Sequence, residues 1–194
     1  MMDNFLSPED KRYLLALARE TMVDAVNGQR KKEIDPARIP DRVKQNGASF
    51  VTLTIAEELR GCIGTLEAYQ PLYRDVQGHA IQAALEDYRF PPVSTDELPL
   101  ILIEISRLTS PVPLLYSTPA DLPGLLHPYQ DGVILKDGHR RATFLPQVWE
   151  QLPEAPMFLS HLCQKMGADP DLWRHKLLEV SVYQVEEFSE SDHI

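Results

Sequence analysis

Residues 59–65 read Leu-Arg-Gly-Cys-Ile-Gly-Thr, and the predicted fold is built around this stretch. Just before it, from Phe50 to Ile55, apolar and polar residues alternate with a period of two, which is the pattern of a half-buried strand. A second strand over Leu59–Leu66 is expected to fold back on the first. Two glycines inside a strand sacrifice side-chain packing, so they indicate that something approaches the backbone closely.

Cys62 lies between those glycines and allows two interpretations. In an extended strand, Arg60 and Cys62 point to the same face about 6.6 Å apart, at ~3.3 Å per residue, where the guanidinium would favour a thiolate. Alternatively, Cys62 is a small buried apolar side chain, Arg60 reaches solvent, and the glycines relieve crowding against a helix. The sequence leaves both open and assigns no base to the thiol, because catalytic triads are assembled by the fold.

Two long helices are predicted on either side of this strand pair. The first begins at Ser7-Pro8, an N-cap followed by a first-turn proline, and Gly28 ends it. The second runs from Pro71 to about Tyr88, because the prolines that follow forbid continuation. His79 occupies the apolar side of the second helix, so a hydrogen-bonded core histidine is favoured over a ligand or base.

The middle of the chain is predicted to be β-structure. Leu100–Leu108 alternates strongly, and its Glu104 lies either on a solvated sheet face or in a cleft as a buried carboxylate. At the C-terminal end, a helix beginning at Pro156 should bury Cys163, and Leu177–Phe188 is predicted to close the fold as one strand. Unequal helices and hairpins of this kind indicate an α+β fold with a largely antiparallel sheet and flanking helices.

Asp137-Gly138 is the strongest hairpin signature in the sequence and predicts a type I′ turn within 132–144. With these two residues as the loop, Lys136 would lie opposite His139. Lys136, His139 and Arg141 would then share one face. That face either holds a carboxylate or phosphate group or is exposed to water.

Composition and charge limit the function classes. The 194 residues are 43% hydrophobic and 25% charged, as in ordinary globular proteins. Acidic residues outnumber Lys and Arg by 29 to 19, and the net charge of −10 repels phosphate backbones and anionic lipids. Nucleic acid and membranes are therefore not expected as partners. The basic run Arg30–Lys32 is interpreted as a solvated connector.

The expected compartment is the cytoplasm, since the N-terminus lacks signal-peptide features and no apolar run approaches the ~18 residues of a membrane span. Cys62 and Cys163 have no zinc-site spacing, and a reducing compartment argues against a disulfide between them. No metal ligands are predicted, and the sequence leaves the cofactor undetermined.

Several segments resemble blocks of the AMMECR domain family and occur in the family's order. The Leu-Arg-Gly-Cys-Ile-Gly motif is similar to the family's signature, and Asp-Tyr-Arg-Phe-Pro-Pro-Val at 87–93 is similar to its second block. In the last block, Met166 stands where the family usually has a small residue. The matching segments are 59–65, 87–93, 96–99, 131–135, 141–148 and 165–167.

The resemblance implies an α+β fold with a larger and a smaller lobe around a cleft. It also implies association, in prokaryotes, with Memo-like proteins and radical S-adenosylmethionine (radical SAM) proteins, and it implies no particular reaction. We expect one AMMECR-like domain over 8–188 and a flexible acidic tail over 189–194. Carried over at matching positions, the candidate site residues are Arg60, Gly61, Cys62, Gly64, Arg89, Glu97 and Arg141.

Two functional hypotheses follow. In the first, the chain is an enzyme or enzyme component in which Arg60 activates Cys62, while Arg89 or Arg141 holds an anionic substrate group. In the second, the glycine-flanked strand and the hairpin form a non-catalytic docking surface for a partner protein or small anionic ligand. Because the two glycines allow a close approach and the distant blocks match one family, we predict that Cys62, Arg60 and at least one of Arg89, Glu97 and Arg141 converge on one concave surface.

Overall fold

The structure is a computed structural model that describes residues 5–29 and 34–192. It forms two compact units, of which the first comprises Met1–Thr109 and Glu186–Ile194 and the second Ser110–Val185. Each unit has an antiparallel sheet with flanking helices, so the predicted α+β class is confirmed. The single domain and the flexible tail stay predictions. The basic run 30–32 and the last two residues of the tail lie outside the described residues.

The helices and strands alternate irregularly along the chain. In chain order they are α1 (Pro8–Val26), β1 (Asn46–Ile55), β2 (Glu58–Gly64), β3 (Gln70–Pro71), α2 (Leu72–Leu85), β4 (Leu102–Leu108), β5 (Val112–Pro113), α3 (Leu122–Leu125), β6 (Gly132–Asp137), β7 (Arg140–Phe144), α4 (Ala155–Lys165), α5 (Leu172–His175), β8 (Glu179–Tyr183) and β9 (Val185–Ser189). Five 3₁₀ turns lie between them in the described part of the chain, and the one at Thr95–Glu97 bears on the candidate site.

Local sequence explains where α1 begins and where α2 ends. Ser7 caps α1 through a capping box, in which its hydroxyl accepts a hydrogen bond from Asp10 N and the Asp10 carboxylate accepts one from Ser7 N. Helix α2 ends at Leu85, earlier than predicted. The reason is a turn closed by Asp87, whose carboxylate accepts the N–H of Arg89 and so competes with helical pairing.

The sheet of the first unit has the strand order β2-β1-β4-β9, and β3 pairs with the start of β1. Helix α2 packs against β1 and β2, and α1 packs against α2. The face of the sheet towards α2 carries the core, including the fully buried Val51, Leu53 and Ile103. Because residues alternate between faces, the next residues along each strand lie on the face opposite α2.

Two carboxylates, Glu186 in β9 and Glu190 just after it, connect the C-terminal part of this unit to α1 and the residue before it. Glu186 is only 6% exposed and accepts hydrogen bonds from Leu6 N and Arg107 Nη1, with Lys11 Nζ 3.3 Å away. Glu190 pairs with Arg19 of α1 and accepts a hydrogen bond from Ile103 N. Residues 6–19 are therefore joined to residues 186–190 within the first unit.

The second unit has the strand order β5-β8-β6-β7 and a separate core. Trp149 and Phe158 stack at its centre with ring centroids 3.7 Å apart. Cys163 is fully buried and free, as predicted, and burial raises the pKa of its thiol. Within the described residues, no helix is long and apolar enough to cross a membrane.

The hairpin β6–β7 is confirmed, but its predicted register is wrong by one residue. Lys136 pairs with Arg141 and Asp137 with Arg140, so the two-residue loop is Gly138-His139. Only Gly138 has a positive φ, +61°, which fits a type II′ turn with glycine first rather than the predicted type I′ turn. Lys136 and Arg141 therefore share a face, whereas His139 lies in the turn.

The predicted closing strand over Leu177–Phe188 is also wrong as a single strand. It is divided at Gln184 into β8, which pairs with β5 and β6, and β9, which belongs to the other sheet. The sequence pattern shows no break, because both pieces are apolar and β-prone and the strands they pair with are distant in sequence.

Candidate functional site

Strand β2 is interrupted at Arg60 by a β-bulge. Gly61 lies opposite Leu53 and Leu59 lies opposite Thr54, so Arg60 has no opposite residue. Its guanidinium forms a two-pronged ion pair with Glu97, with Nε–Oε1 and Nη2–Oε2 distances of 2.6 and 3.1 Å. The bulge thus breaks the regular alternation of side chains that would put Arg60 and Cys62 on one face of the strand. The positive charge of Arg60 is paired with Glu97.

Glu97 is held as an anion at this position. Its carboxylate also accepts hydrogen bonds from the N–H and hydroxyl of Ser94, which caps the short 3₁₀ turn. Together with the larger contribution from Arg60, these donors hold the pKa of Glu97 at about 2. The ion pair therefore links the bulge of β2 to the loop that precedes β4.

The two glycines that flank Cys62 are explained by packing within the chain. A Cβ atom at Gly61 would lie 2.2 Å from the carbonyl oxygen of Ala83, so α2 and β2 touch backbone to backbone there. At Gly64, a Cβ atom would lie 2.3 Å from the ring of Phe50. The close approach predicted at both glycines is thus made by this chain's own atoms. Contact of either glycine with a ligand stays a prediction.

The side chain of Cys62 lies on the face of the sheet opposite α2. Cys62 is half-buried, and its Sγ atom accepts a hydrogen bond from Thr52 Oγ1 at 3.3 Å. Thr52 is the residue directly opposite on β1, and it pairs on its other side with Glu104 of β4. Leu59 and Leu102, 43% and 47% exposed, flank Thr54 in the next row of this face.

Glu104 lies on the solvated side of its strand, which decides between the two alternatives for this residue. Its side chain is exposed. Partial burial raises its pKa, and repulsion from Glu187 and Asp192 adds to the effect. The sheet face that carries Cys62 therefore has exposed leucines in one row and, in the next row, the Cys62 thiol, Thr52 and the Glu104 carboxylate.

Both backbone groups of Cys62 are bound by one ion pair. Asp87 Oδ2 accepts the N–H of Cys62 at 2.9 Å, and Arg89 Nη2 donates to the Cys62 carbonyl oxygen at 3.0 Å. The two side chains are themselves joined at 2.6 Å by Arg89 Nη2 and at 2.9 Å by Arg89 Nε. Since β2 is the terminal strand of its sheet, this pair sits where a neighbouring strand would otherwise be.

Electrostatics show how tightly this pair is coupled. Hydrogen bonds from Arg89 hold the pKa of the Asp87 carboxyl far below its usual range, although Asp87 is only 4% exposed. The pKa of Arg89 is raised in turn, first by its hydrogen bond to Asp87 and to a smaller extent by the charges of Asp87, Cys62 and Tyr88. Arg89 therefore lies within electrostatic range of the Cys62 side chain.

The remaining candidates lie in the second unit. Arg141 is exposed on β7, and its charge acts on Tyr183, whose pKa is raised mainly by burial. Lys136 pairs with Glu179 at 2.9 Å. Within residues 5–29 and 34–192, no group of three or more His, Cys, Asp or Glu side chains is arranged to hold a metal ion.

A separate cavity lies along α1 and contains none of these residues. Its volume is about 360 Å³, and its walls include Tyr13, Leu17, Ile34 and Arg38. It shares no lining residue with the surroundings of Cys62, so the candidate site is defined by β2 and its contacts.

Comparison with known proteins identifies the chain's relatives. A model of the AMMECR1 domain matches residues 15–188. The chain belongs to the AMMECR1 family. A protein from Methanothermobacter thermautotrophicus is 38% identical over 186 residues, covering 95% of this chain and 96% of the relative. Protein MK0488 from Methanopyrus kandleri is 34% identical over 199 residues, covering 98% and 93%.

The fold is shared with a solved structure. The crystal structure of the uncharacterized protein PH0010 from Pyrococcus horikoshii matches with a TM-score of 0.72 and 31% identity, covering 96% of this chain and 94% of that one. The resemblance to the AMMECR domain family predicted from sequence is therefore confirmed over nearly the whole chain.

The structure brings together the first two sequence blocks that resemble the AMMECR1 family, at 59–65 and at 87–93 with 96–99. Arg60 meets Glu97, and Cys62 meets Arg89. Sequence reasoning missed Thr52, which donates to the Sγ atom of Cys62, and Asp87, which accepts its backbone N–H. Asp87 opens the second block and was visible there, but only the sheet register identifies Thr52 as the neighbour of the thiol.

Proposed function

We propose that this AMMECR1-family chain is an enzyme or enzyme component whose reactive group is the Cys62 thiol. The observation that carries the proposal is the hydrogen bond that the Sγ atom of the partly exposed Cys62 accepts from Thr52 Oγ1 at 3.3 Å. A hydroxyl that donates to sulfur favours the thiolate, which is the nucleophilic form. The contacts of Asp87 and Arg89 with the Cys62 backbone hold that sulfur in a fixed position.

The role first given to Arg60 is better suited to Arg89. The side chain of Arg60 is only 12% exposed and is paired with Glu97. The side chain of Arg89 is 43% exposed, and it interacts electrostatically with Cys62. Asp87 offsets much of that charge, so Thr52 remains the specific donor to sulfur. Either Arg89 or Arg141 is the proposed partner for an anionic group of the substrate.

The proposed setting is cytoplasmic, and the proposed partners are the Memo-like and radical SAM proteins that the family resemblance implies. Two free thiols, Cys62 and Cys163, support a reducing compartment. Co-purification of the tagged chain with a Memo-like or a radical SAM protein from its own cells tests the partners, with the Cys62→Ser variant as the matched bait.

Labelling with iodoacetamide at neutral pH, read by mass spectrometry, tests the thiol. Thr52→Val removes the donor to sulfur at nearly constant shape and is expected to slow alkylation of Cys62, whereas Thr52→Ser keeps the hydroxyl and is expected to retain the wild-type rate. Cys163, which is fully buried, serves in each sample as the thiol that stays unlabelled while the second unit is folded. Equal rates in wild type, Thr52→Val and Thr52→Ser would remove the basis for an activated thiol.

A non-catalytic binding module is the second candidate, and one observation favours it. Arg60 and Arg89 are both paired with carboxylates, so much of the positive charge around β2 is already neutralised within the chain. The Cys62→Ser variant distinguishes the two candidates, because it keeps the size of the side chain. Retained partner binding and retained cellular function in that variant would favour the module, whereas loss of function with retained folding would favour the enzyme.

A further inference from the structure

The outer edge of β2 is the place where a second chain could extend this sheet. Strand β2 is the terminal strand, and among residues 5–29 and 34–192 its only neighbouring strand is β1. In an antiparallel pair, the N–H and C=O of alternate residues point towards the neighbour, and those of the residues between point outward. The contacts of Cys62 with Asp87 and Arg89 identify Cys62 as an outward residue at the middle of the strand.

We propose that the Asp87–Arg89 ion pair is an edge guard that keeps β2 from pairing with the β2 strand of a second copy of this chain. The pair supplies one acceptor and one donor to Cys62, which are the two hydrogen bonds that a residue on an added strand would make. An exposed strand edge without such protection is a template for pairing with another chain.

Two further features of β2 belong to the same protection. The bulge at Arg60 interrupts the regular spacing of backbone groups, and the Arg60–Glu97 ion pair fixes a charged group beside it. Neither feature covers the backbone of Cys62, so the Asp87–Arg89 pair is the element that closes the centre of the edge.

A second copy is the occupant that this edge fits. An antiparallel pair of identical strands is related by a two-fold axis, so each copy offers the other the same groups. Glu58 and Arg60 are oppositely charged, so the strand itself has no net charge that would oppose pairing with an identical strand. With the axis at Cys62, the two Cys62 residues would form a hydrogen-bonded pair with their Cα atoms ~5.5 Å apart.

That distance makes the proposal testable by a disulfide, because bridged cysteines have Cα separations of about 4.4–6.8 Å. The edge is opened with Asp87→Ala plus Arg89→Ala, which remove the acceptor and the donor, and the matched control is Glu86→Ala plus Arg74→Ala, two exposed residues on or next to α2. Each protein is treated with diamide, which takes up the two thiol hydrogens as two thiols become one disulfide. Dimers are read by non-reducing electrophoresis and peptide mapping.

The opened variant is expected to form a dimer linked through Cys62, with a matching dimer in light scattering before oxidation. Wild type and the control are expected to stay monomeric, and adding Cys62→Ser should remove the cross-link but leave the light-scattering dimer. A folded, monomeric double variant with no cross-link would overturn the proposal. If circular dichroism shows that the double variant is unfolded, the single change Arg89→Met decides by the same two readouts, because it frees the Cys62 carbonyl while leaving Asp87 on the N–H. The proposal does not depend on Cys62 being catalytic.

Discussion

Replacing Gly61 by alanine is expected to destabilise the first unit severely. The added Cβ atom would stand 2.2 Å from the carbonyl oxygen of Ala83 and 3.1 Å from its carbonyl carbon. An ordinary C···O contact is ~3.3 Å or longer, so α2 and β2 would have to separate by about 1 Å. Because the obstacle is backbone, no side-chain rotation relieves it, and we expect a loss of roughly 3 kcal/mol, the upper part of the overpacking range.

Gly78→Ala is the matched control for this prediction. Gly78 lies inside α2, and a Cβ atom there would meet nothing within 4 Å. Alanine in a helix interior is favoured over glycine by about 0.5–1 kcal/mol, so this variant should be slightly more stable than wild type. Glycine-to-alanine substitution is thus expected to lower the free energy of unfolding at Gly61, which packs against α2, and to raise it at Gly78, which lies within α2.

Urea unfolding read by hydrogen exchange and mass spectrometry checks the pair. Peptides from α2 and β2 report on the first unit, whereas fluorescence of Trp149 and Trp173 reports on the second unit, in which both tryptophans lie. A loss of roughly 3 kcal/mol would lower the urea midpoint by about 1 M or more. A Gly61→Ala protein within about 0.5 kcal/mol of wild type would refute the packing explanation of this glycine.

Three further predictions concern charge and turn geometry. Glu186→Gln removes the nearly buried carboxylate that Arg107 and Lys11 share, and it should lower the free energy of unfolding by about 3–5 kcal/mol. Glu187→Gln, at an exposed position, should change that free energy by less than about 0.5 kcal/mol. The urea midpoints of the two variants and wild type test this difference. The pKa of Glu97 is lowered from 4.5 to about 2, so its ion pair stabilises the fold above pH 4.5 and that stability is lost as pH falls towards 2. Glu97→Gln should therefore be less stable than wild type at neutral pH, and the difference should shrink across this window; a constant difference in urea midpoint would contradict the assignment. Gly138→Ala forces a Cβ into a φ of +61° and should cost about 1–2 kcal/mol, seen as a lower melting temperature of the tryptophan signal.

Sequence periodicity was sufficient to predict the longer elements α1, α2, α4, β1, β2 and β4, because their apolar spacing is local information. The capping residues at Ser7-Pro8 and the hairpin near Gly138 are read from neighbours in the chain. The division at Gln184 was missed, since it depends on which distant strands the two pieces join. The hairpin register was missed because Asp137 can be either the last strand residue before the two-residue loop or the first residue of that loop.

The candidate site was predictable in part for the same reason. The glycines around Cys62 indicated a close approach, and the structure identifies the approaching groups as Ala83 and Phe50. The bulge at Arg60 could not be predicted, because nothing in its own sequence distinguishes a bulged from a regular strand position. Because of the bulge, the side chains near Cys62 are Thr52 and Arg89 and not Arg60, which the regular strand pattern predicted.

The rate of alkylation of Cys62 in the native protein, relative to the same peptide in urea, tests the central claim most directly. Iodoacetamide at neutral pH is followed by mass spectrometry for Cys62 and Cys163 in one sample. We predict that native Cys62 reacts faster than unfolded Cys62, because Thr52 donates to its sulfur, and that native Cys163 does not react until the second unit unfolds, because it is fully buried. Native Cys62 reacting more slowly than in urea, or no faster than Cys163, would contradict the proposal that this thiol is the reactive group.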